Sequence, residues 1–199
     1  MTYLFRLITW RLACRYYGTD VTRYRGGIDD FILSHISPGD RVLDVGCADG
    51  RLTRIIADKA GKAVGLDINK VCAGEIYNGP GCKKIGFMTG DVATSEFKER
   101  FDVAVLVHTI EHLKDSGLAL RRLSGYARKI VIETPDCESD WIFKLLKDLG
   151  VEALGDETHV KLYDGDSLKR ELEKNGWTGV TLFKGYNMVR AVAYSKFLK

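Results

Sequence analysis

The chain has 199 residues, which sets one domain as the expectation. With 45% hydrophobic and 29% charged residues it has the makings of an ordinary folded core rather than a disordered chain. A net charge of +3 is too small to call for a nucleic-acid partner by itself. The cysteines, at 14, 47, 72, 82 and 137, are odd in number and form no C-x-x-C pair, a pattern of reduced thiols in a cytoplasmic protein rather than a disulfide framework or zinc site.

The first element is an amphipathic stretch from Tyr3 to Tyr17, in which Leu4, Ile8, Arg11 and Arg15 mark different faces. Arg6, Arg11 and Arg15 interrupt it too often for a signal peptide, and no apolar run in the chain reaches membrane-spanning length. We read residues 1–27 as an arm or lid that covers the core, with contact to a membrane surface or an anionic substrate as the alternative. Tyr16, Tyr17, Tyr24 and Arg25 would line a substrate entrance. A helix is expected near 28–36, ended by the turn Ser37-Pro38-Gly39-Asp40.

Strands and helices then alternate. Strands are predicted at 41–46, 63–67, 83–89, 101–107 and 129–133, with helices at 50–60, 69–77 and 115–126. An insertion over 136–160 carries an apolar helical piece, including Trp141, Ile142, Phe143 and Leu145. It reads either as a lid over an acceptor pocket or as a helix packed on the sheet. A helix over 167–175 stops at Gly176, and two closing strands, 178–185 and 188–196, are separated by little more than Tyr186-Asn187, an antiparallel hairpin. The fold class is therefore α/β: a doubly wound, mostly parallel sheet with an antiparallel C-terminal hairpin.

The sharpest signal lies in Val42-Leu-Asp-Val-Gly-Cys-Ala-Asp-Gly-Arg-Leu-Thr53. It reads as a buried strand, a tight glycine turn and the start of a helix, with Gly46 and Gly50 permitting close backbone approach to a ligand. The next strand ends in Asp67, where a carboxylate can accept both hydroxyl protons of a ribose. The G-x-G-x-x-G dinucleotide spacing is absent, which disfavours a nicotinamide oxidoreductase.

Asp44-x-Gly46-x-Ala48-x-Gly50 resembles the D-x-G-x-G-x-G signature of class I S-adenosylmethionine-dependent methyltransferases, with Ala48 in place of the middle glycine. The resemblance runs from about Arg41 to the C-terminus and implies the seven-stranded sheet of that family. It implies S-adenosylmethionine as cofactor, with S-adenosylhomocysteine as product. It assigns Asp44, Gly46, Cys47, Ala48 and Gly50 to the loop around the methionine part, Asp67 to the ribose, Asp91 to the adenine amino group, and Ile68 and Val92 to the adenine faces. His108 follows the fourth strand and joins the cofactor set. Other readings stand beside these: an Asx turn for Asp67, a helix cap for Asp91, a brace on the loop for Asp44, and plain core packing for Cys47, Ile68 and Val92.

His108-Thr109-Ile110-Glu111-His112 and the later Thr158-His159 resemble the ubiquinone-pathway O-methyltransferases. Methyl transfer needs alignment and a dry site, and a hydroxyl acceptor must also lose a proton. Glu111, His112 and His159 are the catalytic candidates, by acid/base work or by positioning. A divalent metal is disfavoured, because the second glutamate of comparable metal sites falls on His108. His35 stands apart from this cluster. The Thr134-Pro135-Asp136 sequence lacks the Asn-Pro-Pro-Tyr signature of amino-methyltransferases acting on DNA or protein. The expected activity is methyl transfer to oxygen or carbon of a small, apolar acceptor. An RNA 2′-O-methyltransferase and a non-catalytic cofactor-binding scaffold are the alternatives; Arg121-Arg122 and Lys83-Lys84 are short basic pairs, not a continuous basic face.

Overall fold

The computed structural model describes residues 27–69, 84–137, 158–185 and 188–198. The amphipathic arm, the 69–77 helix beyond Asn69, the apolar helix of the insertion and the Tyr186-Asn187 turn lie outside the described residues.

In chain order the elements are α1 (Ile28–Ser34), β1 (Arg41–Val45), α2 (Arg51–Lys59), β2 (Lys62–Asp67), β3 (Ile85–Thr89), β4 (Phe101–Val107), a 3₁₀ turn (Ile110–His112), α3 (Ser116–Tyr126), β5 (Ala127–Pro135), α4 (Gly165–Lys174), β6 (Trp177–Gly185) and β7 (Met188–Ser195). The seven strands form one sheet in the order β3-β2-β1-β4-β5-β7-β6. Pairs from β3 through β5 are parallel, and β7 runs antiparallel to both β5 and β6. This is the doubly wound sheet with an antiparallel C-terminal hairpin that the sequence predicts.

The alternation of side chains along the strands sorts the core into two layers. Val42, Val103, Val105 and Val131 meet Ile32 of α1 and Ile56 of α2 on one face. Leu43, Leu106, Ile130 and Ile132 meet Leu120 and Leu123 of α3 and Leu168 and Leu172 of α4 on the other. β1, β2, β4 and β5 are buried on both faces, which is why they read as nearly continuous apolar runs. Asp29 and Arg51 form a two-point ion pair, 2.8 and 3.0 Å, that ties α1 to the first turn of α2. Among the described residues no helix is long and apolar enough to cross a membrane.

Element boundaries move where caps decide them. α4 begins at Gly165 rather than Ser167, because Asp164 is the cap: its carboxylate accepts from Ser167 N–H while the Ser167 hydroxyl accepts from Asp164 N–H. β5 begins at Ala127, two residues before the predicted start at Lys129, since α3 passes into the strand without a loop.

The strand order reverses between β1 and β4. In an open α/β sheet the crevice at that point, beyond the carboxyl ends of the strands, is where ligands bind.

Candidate active site

The segment between β1 and α2 forms one wall of the crevice. Gly46 and Gly50 both sit at φ 76°, in the left-handed region. A Cβ on Gly46 would lie 2.3 Å from Thr109 Oγ1, and one on Gly50 would lie 2.7 Å from the Phe87 ring. Both glycines are therefore required twice, by backbone angle and by space. The Gly46 and Cys47 N–H groups donate to Leu66 O at 2.7 and 3.2 Å, which seats the loop against the end of β2. Ala48 is also left-handed, at φ 48°. The family's middle glycine thus answers a real backbone demand, which Ala48 meets at a strain of about 1 kcal/mol.

Asp67, at the end of β2, reaches into this loop. Its Oδ2 accepts Ala48 N–H at 2.9 Å and its Oδ1 accepts Asn69 N–H at 2.9 Å. The second contact is the Asx turn that the sequence allowed. Both oxygens retain lone pairs for a diol, since each carboxylate oxygen has about two acceptor sites. Ile68, next along, is 69% exposed, whereas Val92 is packed in the core. Asp91 is exposed, and its Oδ1 accepts Ala93 N–H at 2.8 Å in a turn.

Asp44 is buried beneath the loop and accepts the Thr53 hydroxyl at 2.6 Å, so it braces the loop against α2 through a side chain. Burial pushes its carboxyl up to about 6, despite that hydrogen bond. The buried Cys47 thiol lies against Gly65, where a Cβ would come within 2.8 Å of Sγ. Burial, with Asp44 and Asp67 nearby, pushes the thiol up to about 12, so it is a packing group rather than a nucleophile.

The other wall follows β4. Thr109 donates its hydroxyl to Val45 O or Val107 O, 3.0 Å each, and its side chain abuts Gly46. His108 is left-handed, at φ 48°, and its N–H donates to Glu133 O at 2.9 Å. Its ring lies between two carboxylates: Nδ1 is 3.5 Å from Glu111 Oε1 and Nε2 is 3.7 Å from Glu133 Oε1. Glu111 is 1% exposed, and its Oε2 accepts the Thr134 hydroxyl at 3.0 Å. Burial raises the Glu111 carboxyl, but the nearby His108 ring, its own backbone N–H and the Thr134 hydroxyl outweigh that and hold it below the ordinary value.

His159 is 47 residues beyond His112 in sequence, yet the two rings stand edge to face with centroids 4.7 Å apart. Backbone bonds carry it there: Val160 and Lys161 N–H groups donate to Glu111 O at 2.9 and 3.3 Å. His112 Nδ1 is 3.2 Å from the Thr158 carbonyl and 3.0 Å from its hydroxyl. Glu111, His112 and His159 each present a donor atom, all within 4.8 Å of one another. A bound ion would suit this set as zinc, iron or manganese, which accept mixed imidazole and carboxylate donors. The three catalytic candidates are therefore one cluster, and Thr109, next to His108, abuts the glycine loop at Gly46.

Glu133 and Arg190 were not singled out from the sequence. Glu133 is 2% exposed and its Oε2 accepts Arg190 Nε–H. The available signal was a charge closing the apolar run Ile130-Val131-Ile132, since a buried carboxylate demands a partner. Its partner, 57 residues on, is paired with it across β5 and β7. Of the basic pairs, Arg121 donates to Asn175 Oδ1, Arg122 to Ser95 O and Lys84 to Ala60 O, and Lys83 lies outside the described residues.

A family profile described as a methyltransferase domain matches residues 18–182. The ubiquinone biosynthesis O-methyltransferase of Nitrobacter winogradskyi is 25% identical over 168 residues, which cover 80% of this chain and 62% of that protein. The chain thus spans about three-fifths of that relative's length. The fold is shared with the YcgJ protein of Bacillus subtilis (TM-score 0.65, 16% identity, 78% of this chain and 70% of that one). It is shared also with magnesium protoporphyrin IX methyltransferase of Synechocystis PCC 6803, solved with bound SAH (TM-score 0.59, 18% identity, 87% and 80%). Sheet order, glycine loop and profile agree: the chain belongs to the methyltransferase-domain family, on the class I seven-stranded fold.

Proposed function

We propose that the chain transfers a methyl group from S-adenosylmethionine to an oxygen or carbon of a small-molecule acceptor in the cytoplasm. The observation that carries this reading is the gathering of Glu111, His112 and His159 at the carboxyl end of β4, beside the glycine loop. S-Adenosylmethionine, when bound, supplies an electrophilic methyl on a sulfonium. The chain's residues have to align the acceptor and take its proton.

Asp67 would hold the ribose hydroxyls. The exposed Ile68 would cover one face of the adenine, with Val92 beneath and Asp91 toward its amino group. The backbone at Gly46, Cys47, Ala48 and Gly50, with His108 opposite, would line the methionine part. With an Nδ1 proton held by the Thr158 carbonyl, the lone pair of His112 stands on Nε2, where it can take the acceptor's proton. His159 packs on that ring and shares the role, and the ionised Glu111 favours the charge that His112 would acquire. The glycine-loop geometry fits a backbone-lined ligand, and a neutral acceptor would be desolvated against apolar groups such as Val160, which is exposed beside His159.

A metal-assisted version of the same reaction is the second reading, favoured by the three donors within 4.8 Å. There the ion would be held by Glu111, His112 and His159 and would lower the acceptor hydroxyl's pKa. An RNA acceptor is disfavoured, because Arg121, Arg122 and Lys84 are tied to protein groups. The amphipathic arm and the apolar insertion are proposed as acceptor-side covers, with a small apolar acceptor as partner and the arm as a point of peripheral membrane contact.

Transfer of label from methyl-labelled S-adenosylmethionine to catechol and quinol acceptors, with EDTA or added Mn²⁺, tests the reading. Labelled product insensitive to EDTA supports base catalysis, and EDTA-sensitive product supports the metal version. Cofactor binding without transfer to any small acceptor would point to the scaffold alternative.

A further inference from the structure

Among the described residues, the polar groups not absorbed by the proposed reaction include a chain running from β7 to the crevice. Arg190 donates Nε–H to Glu133 Oε2, and its guanidinium carbon lies 4.9 Å from the centre of the Phe31 ring of α1. Glu133 is thereby held on a side chain that is itself largely covered. Its other oxygen, Oε1, faces His108 Nε2 at 3.7 Å, while its backbone carbonyl accepts His108 N–H at 2.9 Å. One residue thus grips His108 at both backbone and ring. The next residue, Thr134, holds Glu111, which faces the other ring nitrogen at 3.5 Å.

His108 is half exposed to the crevice, at 44%, and sits in the left-handed region, an unfavourable place for a side chain with a Cβ. Such a conformation persists where the surroundings over-determine it. Here each ring nitrogen faces a carboxylate oxygen, at 3.5 and 3.7 Å, so the two carboxylates flank the ring at ion-pair rather than hydrogen-bond distance. The ring cannot turn over without parting from one of them.

We infer that Glu133, anchored by Arg190, is a positioning residue that fixes the His108 ring across the crevice from the glycine loop. The inference rests on the cofactor reading of His108 proposed above. Glu133 does not touch the cofactor; it acts through His108. A buried charged group with this role also explains why β5 closes an apolar run with a glutamate and why β7 places an arginine opposite it.

The test is a double-mutant cycle on S-adenosylhomocysteine affinity, using wild type, H108A, E133Q and H108A/E133Q. If Glu133 acts through His108, both single variants weaken binding, E133Q by about 3–10-fold. The double variant is then no weaker than H108A. Independent, multiplying losses would overturn the inference, because Glu133 would then contribute to folding or to the ligand by another route. Should E133Q fold poorly, E133Q/R190Q, which removes both charges together, replaces it in the cycle.

A second readout needs no cofactor. In long-range ¹H–¹⁵N spectra of the four histidine rings, E133Q should move the His108 ring signals more than those of any other histidine. Unmoved His108 signals would overturn the inference on their own. If wild type fails to bind S-adenosylhomocysteine while E133Q still shifts the His108 ring, the cofactor reading fails and the positioning role survives.

Discussion

The two walls of the crevice are made of different material. On the β1–β2 side the work is done by backbone: two glycines and an alanine in the left-handed region, with amides given to Leu66 O and to the Asp67 carboxylate. On the β4–β5 side it is done by side chains drawn from 108–112, 133–134, 158–160 and 190. A backbone site is written in one short run, because each unusual angle demands a particular residue nearby. A side-chain site is assembled by topology, and its members need not be neighbours in sequence.

The sharpest way to separate the walls is to break one and watch the other. His112→Ala should lower the methyl-transfer rate about 10²–10⁴-fold, the usual worth of a general base, and leave S-adenosylhomocysteine affinity within about 3-fold of wild type. Single-turnover kinetics with a paired titration would show it; equal losses in both would place His112 on the cofactor wall.

Gly46→Ala strikes the backbone wall. The new Cβ would lie 2.3 Å from Thr109 Oγ1 at a φ of 76°, so we expect about 3–4 kcal/mol of destabilisation by urea unfolding. A loss under 1 kcal/mol would mean that the loop rearranges freely.

Asp44 lies under the same wall and makes stability depend on pH. Its folded carboxyl is raised from 3.8 to about 6, so the folded state holds the proton more tightly than the unfolded one. This contribution is fully present below about pH 4 and is lost as pH rises through 6. Two units correspond to about 3 kcal/mol, an order-of-magnitude figure. Asp44→Asn, which keeps a partner for Thr53, should flatten the stability profile between pH 4 and 6. An unchanged slope in the variant would assign the dependence elsewhere. Ala48→Gly is the smallest expected change. Relief of the left-handed strain is offset by a more flexible unfolded chain, leaving a shift of about 1 kcal/mol or less, toward stability.

The same contrast explains what the sequence could disclose. The sheet was legible because buried parallel strands are continuous apolar runs, and the hairpin because two strands flank a very short turn. The glycine loop and Asp67 were legible because spacing alone carries them. Glu111, His112 and His159 could be nominated from residue type, but their convergence depends on backbone bonds from Val160 and Lys161 to Glu111 O. Glu133 and Arg190 meet only through the β5–β7 register, which follows from β7 inserting between β5 and β6. The start of α4 moved to its Asp164 cap because capping is decided by individual hydrogen bonds, not by apolar periodicity.

The central claim is that the backbone wall holds S-adenosylmethionine with Asp67 on its ribose. Calorimetric titration of wild type and Asp67→Ala with S-adenosylhomocysteine tests it most directly. The account predicts micromolar binding by wild type and a loss of about 30–100-fold in the variant, the worth of charge-assisted hydrogen bonds to a diol. Equal affinity in the two proteins, or no binding by wild type, would contradict it.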